Sequence, residues 1–292
     1  MASVGSVLLV VHPEHSTARA LASEARRWWE TRGFAVRVVG DEATGALGGD
    51  PSASEDRPRG TRDERFDFAI SLGGDGTMLR TVGLACAGRT PVLGVNLGRM
   101  GYLTEVEPSG MLPAFEHLSA GNYQVEERMT LEVTIDSAAT GGPAGFLSLN
   151  EAIVEKIAPG HTIRVGVDIS GRRFLTYVAD GLLVCTPTGS TAYNLSARGP
   201  VVSPRLNAMV FTAVAPHLVF DRSLVLGPSE TVTFTLLADR PATVVLDGAR
   251  VVPLNEGETV TCEGGKEPAR LVTFGQRDFH ALLRSRFGLA DR

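Results

Sequence analysis

The chain has 292 residues, 43% of them hydrophobic, which is enough for two domains of ordinary size with a core in each. Its 28 basic and 33 acidic residues leave a net charge of −5, arguing against a partner bound by neutralising nucleic-acid phosphates. The three cysteines, Cys86, Cys185 and Cys262, sit far apart in apolar stretches with no CxxC spacing, so buried reduced thiols are expected rather than a disulfide framework or a zinc site.

Residues Met1 to Gly5 carry no basic region, and the apolar run Val7 to Val11 is far too short to span a bilayer, so a cytoplasmic protein without membrane association is expected. Val7 to Val11 reads as a parallel-sheet strand buried on both faces. His12-Pro13 ends it, and His12 and His15 are read as surface-loop residues. A helix capped by Ser16 or Thr17 runs to about Arg32, with Gly33 as its C′ residue, before a strand at Ala35 to Val39. Residues 40–65, rich in Gly, Asp, Ser, Pro and Arg without apolar period, read as a long exposed loop.

Phe68 to Leu72 is a second buried strand, and Met78 to Cys86 has helical apolar spacing. Between them lies Gly73-Gly74-Asp75-Gly76-Thr77, at a strand-to-helix switch where open α/β sheets bind ligands. Glycines let backbone N–H groups approach an anion, and the helix N-terminus favours negative charge. Asp75 is out of place against a phosphate unless it accepts a proton or binds a metal. The stretch alone fits equally a phosphate-handling turn and a tight turn with Asp75 as N-cap. Pro91 to Val95 is a further parallel strand, and its loop, Asn96 to Leu103, should share the edge that carries Asp75. Arg99 in that loop is a candidate phosphate contact. A helix from Pro108 to Ala120 closes an α/β domain at residues 1–122.

From Tyr123 the pattern changes to short, β-branched, partly alternating stretches: Thr130 to Ile135, Thr162 to Ile169, Arg173 to Val178, Thr231 to Leu237 and Thr243 to Leu246. Turn signals at Thr140 to Pro143, Ser170-Gly171, Asp247-Gly248 and Asn255 to Gly257 separate them. A mainly antiparallel β domain is expected at residues 123–276, followed by an amphipathic helix, Phe279 to Phe287, within a 277–292 segment that packs back on the first domain. Two features there look chemical. Asn150-Glu151 sets an amide beside a carboxylate, a pair suited to an adenine edge or sugar hydroxyls. Asp180 to Ser196 combines a strand, the hydroxyl-rich turn Thr186-Pro187-Thr188-Gly189-Ser190-Thr191, and a short helix, which suits a polar ligand.

Together these motifs resemble the NAD kinase family. Gly73 to Thr77 matches its GGDGT, Asn150-Glu151 its NE pair, Asp180 to Tyr193 its DG…TPTGSTAY stretch, and Gly94 to Leu103 its GVNLGxLGFL segment. The resemblance runs from about Val7 to Gly288; GGDGT alone is shared with diacylglycerol and sphingosine kinases. It implies an N-terminal α/β domain with a parallel sheet, a C-terminal β-sandwich, and phosphoryl transfer from ATP or polyphosphate to the adenosine 2′-hydroxyl of NAD, with Mg²⁺. The alternatives are a lipid kinase of the same superfamily and a non-catalytic dinucleotide-binding module. Carried over residue by residue, Asp75 is the proton acceptor. Gly73, Gly74, Gly76 and Thr77 meet the phosphate donor. Asp75, Gly76, Asn150, Glu151, His161, Asp180, Thr191, Ala192, Tyr193, Asn194, Leu195 and Ser196 meet NAD. Metal ligands are not assigned. A homo-oligomer, dimer or tetramer, is implied, with no nucleic-acid partner. Val178, Ala249 and Arg198 depart from the family's pattern; Arg198 stands where a glycine is usual, so that turn is either reshaped or offers a cation.

Overall fold

The computed structural model describes residues 5–12, 16–40, 65–98, 101–218, 220–237, 240–275 and 278–288. His15, Arg99 and most of the expected loop at 40–65 lie outside them. The described residues form two units: one holds those up to Glu127 and those from Ala269 onward, the other Arg128–Pro268.

In the first unit, strands and helices alternate: β1 (Ser6–Val11), α1 (Ser16–Glu30), β2 (Ala35–Val39), β3 (Phe68–Gly73), α2 (Asp75–Ala85), β4 (Val92–Asn96), α3 (Met111–Ser119) and β5 (Gln124–Arg128). β1 lies between β2 and β3, and β3 pairs with β4, all parallel. Burial on both faces explains why β1 is apolar without a break: Val7 to Val10 are fully inaccessible. α1 meets the sheet through Ala18, Ala22, Ala25 and Trp29, spaced at one or other helical step, with small residues where helix and strand approach. Trp29 fills the remaining space, its ring 4.8 Å from Phe34 and 5.3 Å from Phe115. Gly33, with φ of 84°, takes the left-handed conformation expected just past that helix.

The second unit is built from β6 (Leu131–Ser137), β7 (Gly142–Ser148), β8 (Glu151–Lys156), β9 (Ile163–Ile169), β10 (Arg172–Ala179), β11 (Gly181–Cys185), α4 (Tyr193–Ser196), β12 (Met209–Val214), β13 (Leu224–Leu226), β14 (Thr231–Leu236), β15 (Ala242–Leu246), β16 (Ala249–Leu254) and β17 (Thr259–Gly264). These strands make two six-stranded sheets, β10-β9-β14-β17-β6-β7 and β13-β12-β11-β8-β15-β16, with antiparallel pairing throughout. Alternation sets which face turns inward: Leu131, Val133 and Ile135 of β6 and Val232, Phe234 and Leu236 of β14 are buried while the residues between them are not. One apolar cluster holds residues of both sheets. β8 and β11 instead have two buried faces, because Ile153, Leu183 and Cys185 pack with Val202 and Val210 on the side away from that core. Asn150-Glu151 leads into β8 and Thr186 follows β11, so both segments lie at the ends of these doubly covered strands.

The chain then returns to the first unit. β18 (Ala269–Thr273) joins the parallel sheet beside β4, giving the order β2-β1-β3-β4-β18-β5, and α5 (Phe279–Phe287) follows. The division therefore falls at 127/128 and 268/269, where the sequence pattern suggests 122/123 and 276/277. β18 carries the same β-branched signature as the antiparallel strands before it, and only its partner assigns it. Asp278 caps α5 by accepting from His280 and Ala281 N–H groups at 2.9 and 3.0 Å. α5 lays Arg286 over the Tyr102 ring at 5.0 Å. None of the three cysteines is in a disulfide and all three are buried; burial pushes the Cys262 thiol up to about 12. Among the described residues no helix is long and apolar enough to cross a membrane.

Candidate active site

Parallel pairing brings three strand ends side by side. The His12 N–H donates to the Leu72 carbonyl at 2.9 Å and the Leu97 N–H to the Gly73 carbonyl at 3.2 Å, so the loops after β1, β3 and β4 share one edge. α2 begins at Asp75, three residues before the expected Met78, which places Asp75, Gly76 and Thr77 in its first turn. Gly74 holds the N-cap position in an extended conformation with no side-chain cap. Asp75 therefore is not the cap. Its carboxylate turns to the loop after β4, where Oδ2 accepts from Tyr102 N–H at 2.8 Å and Oδ1 from Leu103 N–H at 3.1 Å.

Two glycines make that arrangement possible by having no side chain. A Cβ on Gly101 would stand 1.9 Å from Asp75 Oδ1, and one on Gly73 would stand 2.1 Å from Thr77 Oγ1. Gly74 and Gly76 differ. A Cβ on either would meet no other residue within 4 Å, and neither has a positive φ, so the fold by itself demands glycine at neither position. The Tyr102 phenol is pushed above its ordinary pKa by burial, with Arg286 opposing and Asp75 adding.

In the β-rich unit the Asn150-Glu151 pair is fixed by a residue 96 positions away. Asp247, at the β15–β16 turn, has φ of 49°, and its carboxylate accepts the Leu149 and Asn150 N–H groups at 2.8 Å each, the Glu151 N–H at 3.2 Å and the Ser148 hydroxyl. Sequence reading sees only the turn signal Asp-Gly there; the carboxylate's role needs the hairpin to be folded. From the other side Thr186 donates its N–H to the Asn150 carbonyl at 2.9 Å and its hydroxyl to the Leu149 carbonyl at 2.6 Å. Gly189 packs so close that a Cβ would lie 2.1 Å from the Asn150 carbonyl oxygen. Glu151 is 6% exposed, and the Tyr193 N–H donates to its carboxyl. Burial, and next the neighbouring Asp247 charge, push it up to about 8.

The remaining candidates divide by environment. Asn194 is fully buried: Nδ2 donates to the Ser190 and Pro200 carbonyls at 3.3 and 3.0 Å and Oδ1 accepts from Thr212 at 2.7 Å, so its amide is engaged within the fold. Thr191, Ala192 and Leu195 are half-buried, while Tyr193 and Ser196 are exposed beside them. Asp180 precedes β11 and pairs with Lys156 Nζ at 2.7 Å. His161 is an exposed loop residue between β8 and β9. Arg198 adopts φ of 64°, the conformation a glycine would favour, so the turn keeps that shape with an arginine in it. Val178 and Ala249 are half-buried, and the Val178 carbonyl accepts from His217 N–H at 2.8 Å. Among the described residues, no group of three or more His, Cys, Asp or Glu side chains is placed to hold a metal ion.

The ATP-NAD kinase N-terminal domain family model matches residues 7–123 and the ATP-NAD kinase C-terminal domain model residues 149–274. The chain is 42% identical to an NAD kinase of Heliobacterium modesticaldum over 76% of this chain and 78% of that one, and 35% identical to NAD kinase 1 of Streptomyces coelicolor over 99% and 87%. Its fold is similar to yeast NADH kinase complexed with NADH, with TM-score 0.82, 21% identity, and coverage of 100% of this chain and 90% of the other. It is also similar to an Archaeoglobus fulgidus NAD kinase in complex with ATP, with TM-score 0.69, 24% identity, and coverage of 98% and 100%.

Proposed function

We propose, because the chain belongs to the NAD kinase family and is a phosphotransferase acting on NAD, that Asp75 receives the proton of the adenosine 2′-hydroxyl while the turn from Gly73 to Thr77 holds the phosphates of the donor. The observation that carries this reading is the paired treatment of the turn. Asp75 is pinned by two backbone N–H groups, whereas Gly74 and Gly76 beside it keep a bareness that the fold does not require. Backbone bare of side chains at an uncapped helix N-terminus suits phosphate oxygens.

The ribose oxygen attacks the terminal phosphorus, the bond from that phosphorus to the bridging oxygen breaks, and the hydroxyl proton passes to Asp75. The transition state of such transfers is loose, so orientation of the hydroxyl outweighs base strength. Asn150, Glu151, Asp180, His161 and the segment from Thr191 to Ser196 are assigned to NAD, with Asn194 acting through the shape of its turn. ATP is the proposed donor, as the family's description implies, with polyphosphate the alternative. Magnesium would come with the phosphates: the described residues build no cage for it, and no step here runs through it. A cytoplasmic homo-oligomer without a nucleic-acid partner completes the reading, supported by the family resemblance and, for assembly, by exposed Val225 and Leu206 on the β-rich unit.

The test is to incubate the purified chain with NAD, magnesium and either ATP or polyphosphate and to detect NADP with an NADP-specific dehydrogenase. Asp75→Asn should retain NAD binding and lose about 10²- to 10⁴-fold in kcat. Turnover near the parent's in that variant would sink the assignment of Asp75.

A further inference from the structure

The β-rich unit sets two carboxyl groups side by side, Glu151 at the start of β8 and Asp247 at the β15–β16 turn, and supplies them with donors very unequally. Asp247 collects three backbone N–H groups and the Ser148 hydroxyl. Glu151 Oε2 is shut off from solvent and meets no hydrogen-bond partner, leaving the Tyr193 N–H as the donor acting on that carboxyl. The titratable groups facing Glu151 are Asp247 from the turn after β15, Cys185 from β11 and Tyr193 from α4. None of these is a cation. Lys156 acts on Tyr193 and pairs with Asp180. An ionised carboxyl with an unsatisfied oxygen beside a second negative charge is strongly disfavoured, while four donors stabilise the charge of the other.

We propose that Glu151 and Asp247 carry a single negative charge between them, held on Asp247, and that Glu151 works as a neutral acid fixing the Asn150 loop against the Tyr193 turn to position the NAD acceptor. Asp247 is then a positioning residue, Glu151 keeps its place among the residues assigned to NAD, and the proposal rests on the NAD reading above. Burial raises Asp247 as well, but its four hydrogen bonds pull it back, whereas for Glu151 burial and Asp247 act in the same direction. Ionisation would set a second negative charge beside Asp247 under the Asn150 loop, so acceptor binding should weaken in alkali.

The experiment measures NAD affinity of the full chain by calorimetry at pH 7 and pH 9, alongside infrared detection of protonated carboxyl groups without ligand. With Glu151 titrating at about 8, binding should be about tenfold weaker at pH 9 than at pH 7. Glu151→Gln, neutral at both pH values, should lose the pH dependence whatever its affinity at pH 7. A protonated-carboxyl band at pH 7 should fade towards pH 9 in the parent and be missing from Glu151→Gln. In Asp247→Asn it should fade at lower pH, because the adjacent charge is gone. Affinity of the parent that is flat with pH, pH dependence retained in Glu151→Gln, or absence of the band overturns the proposal. If the parent shows the titrating band but binds no NAD at either pH, the NAD reading fails and the carboxyl pair stands.

Discussion

At the scale of single residues, function here depends on which polar groups are already spent. Asp75 keeps its carboxylate in place because Gly101 has no side chain to occupy that space. Gly101→Ala puts a Cβ 1.9 Å from Oδ1 and must displace either the carboxylate or the loop. The expected outcome is a loss of at least about tenfold in kcat, with about 1–3 kcal/mol lost in stability from overpacking. Steady-state kinetics and thermal unfolding measure the two effects separately, and unchanged kcat would show that Asp75 does not need its present orientation. Asp75 stands out in the sequence because an acid is unusual inside a glycine turn, whereas Glu151 is singled out by the family resemblance. Asp247 is not legible. A turn aspartate before glycine is ordinary, and what sets this one apart is a set of N–H groups that only the folded hairpin brings within reach.

At the scale of elements, β-strand order decides what each loop can touch. The alternation of apolar residues in β6 and β14 and the unbroken apolar run of β1 announce a half-buried and a fully buried strand respectively, and the structure agrees with both. β18 resists such reading, since parallel and antiparallel strands of five residues look alike until a partner is known. α5, by contrast, is read from the sequence with the bounds it has in the structure; it has no buried residue, yet it lays a cation on the loop that holds Asp75. Loss of that contact in Arg286→Ala removes about 0.5–1 kcal/mol of cation–π attraction, enough to lower kcat by about two- to fivefold. The unfolding temperature should be nearly unchanged, and Arg286→Lys should recover part of the loss. Kinetics of the three proteins side by side check this, and identical kcat values would remove α5 from the account.

At the scale of the whole molecule, the buried acids couple stability to pH. Glu151 titrates at about 8 in the fold and near its ordinary value of 4.5 when unfolded, so between those limits the folded chain holds a proton that the unfolded chain has released. Stability from this group is present in full below pH 4.5 and falls as pH rises, by about 1.4 kcal/mol per unit at most, until the proton leaves the fold near pH 8. Asp247 is raised too and adds in the same sense. Denaturant unfolding from pH 5 to pH 9 should therefore show a downward slope that flattens above pH 8 and is reduced in Glu151→Gln. An identical slope in the variant would show that other groups produce it.

By itself the sequence determined what local chemistry dictates: which stretches are strands or helices, where glycine interrupts them, and that a parallel α/β part precedes an antiparallel one. Side-chain period and turn propensity act over a few residues, so they can be read along the chain. Only the tertiary structure decided that Asp75 is held by Tyr102 and Leu103, that β18 joins the first sheet between β4 and β5, and that Asp247 organises Asn150 and Glu151 from a hairpin distant in sequence. Those outcomes rest on hydrogen bonds and burial between residues distant in sequence, and such contacts exist only once the strands have found their partners.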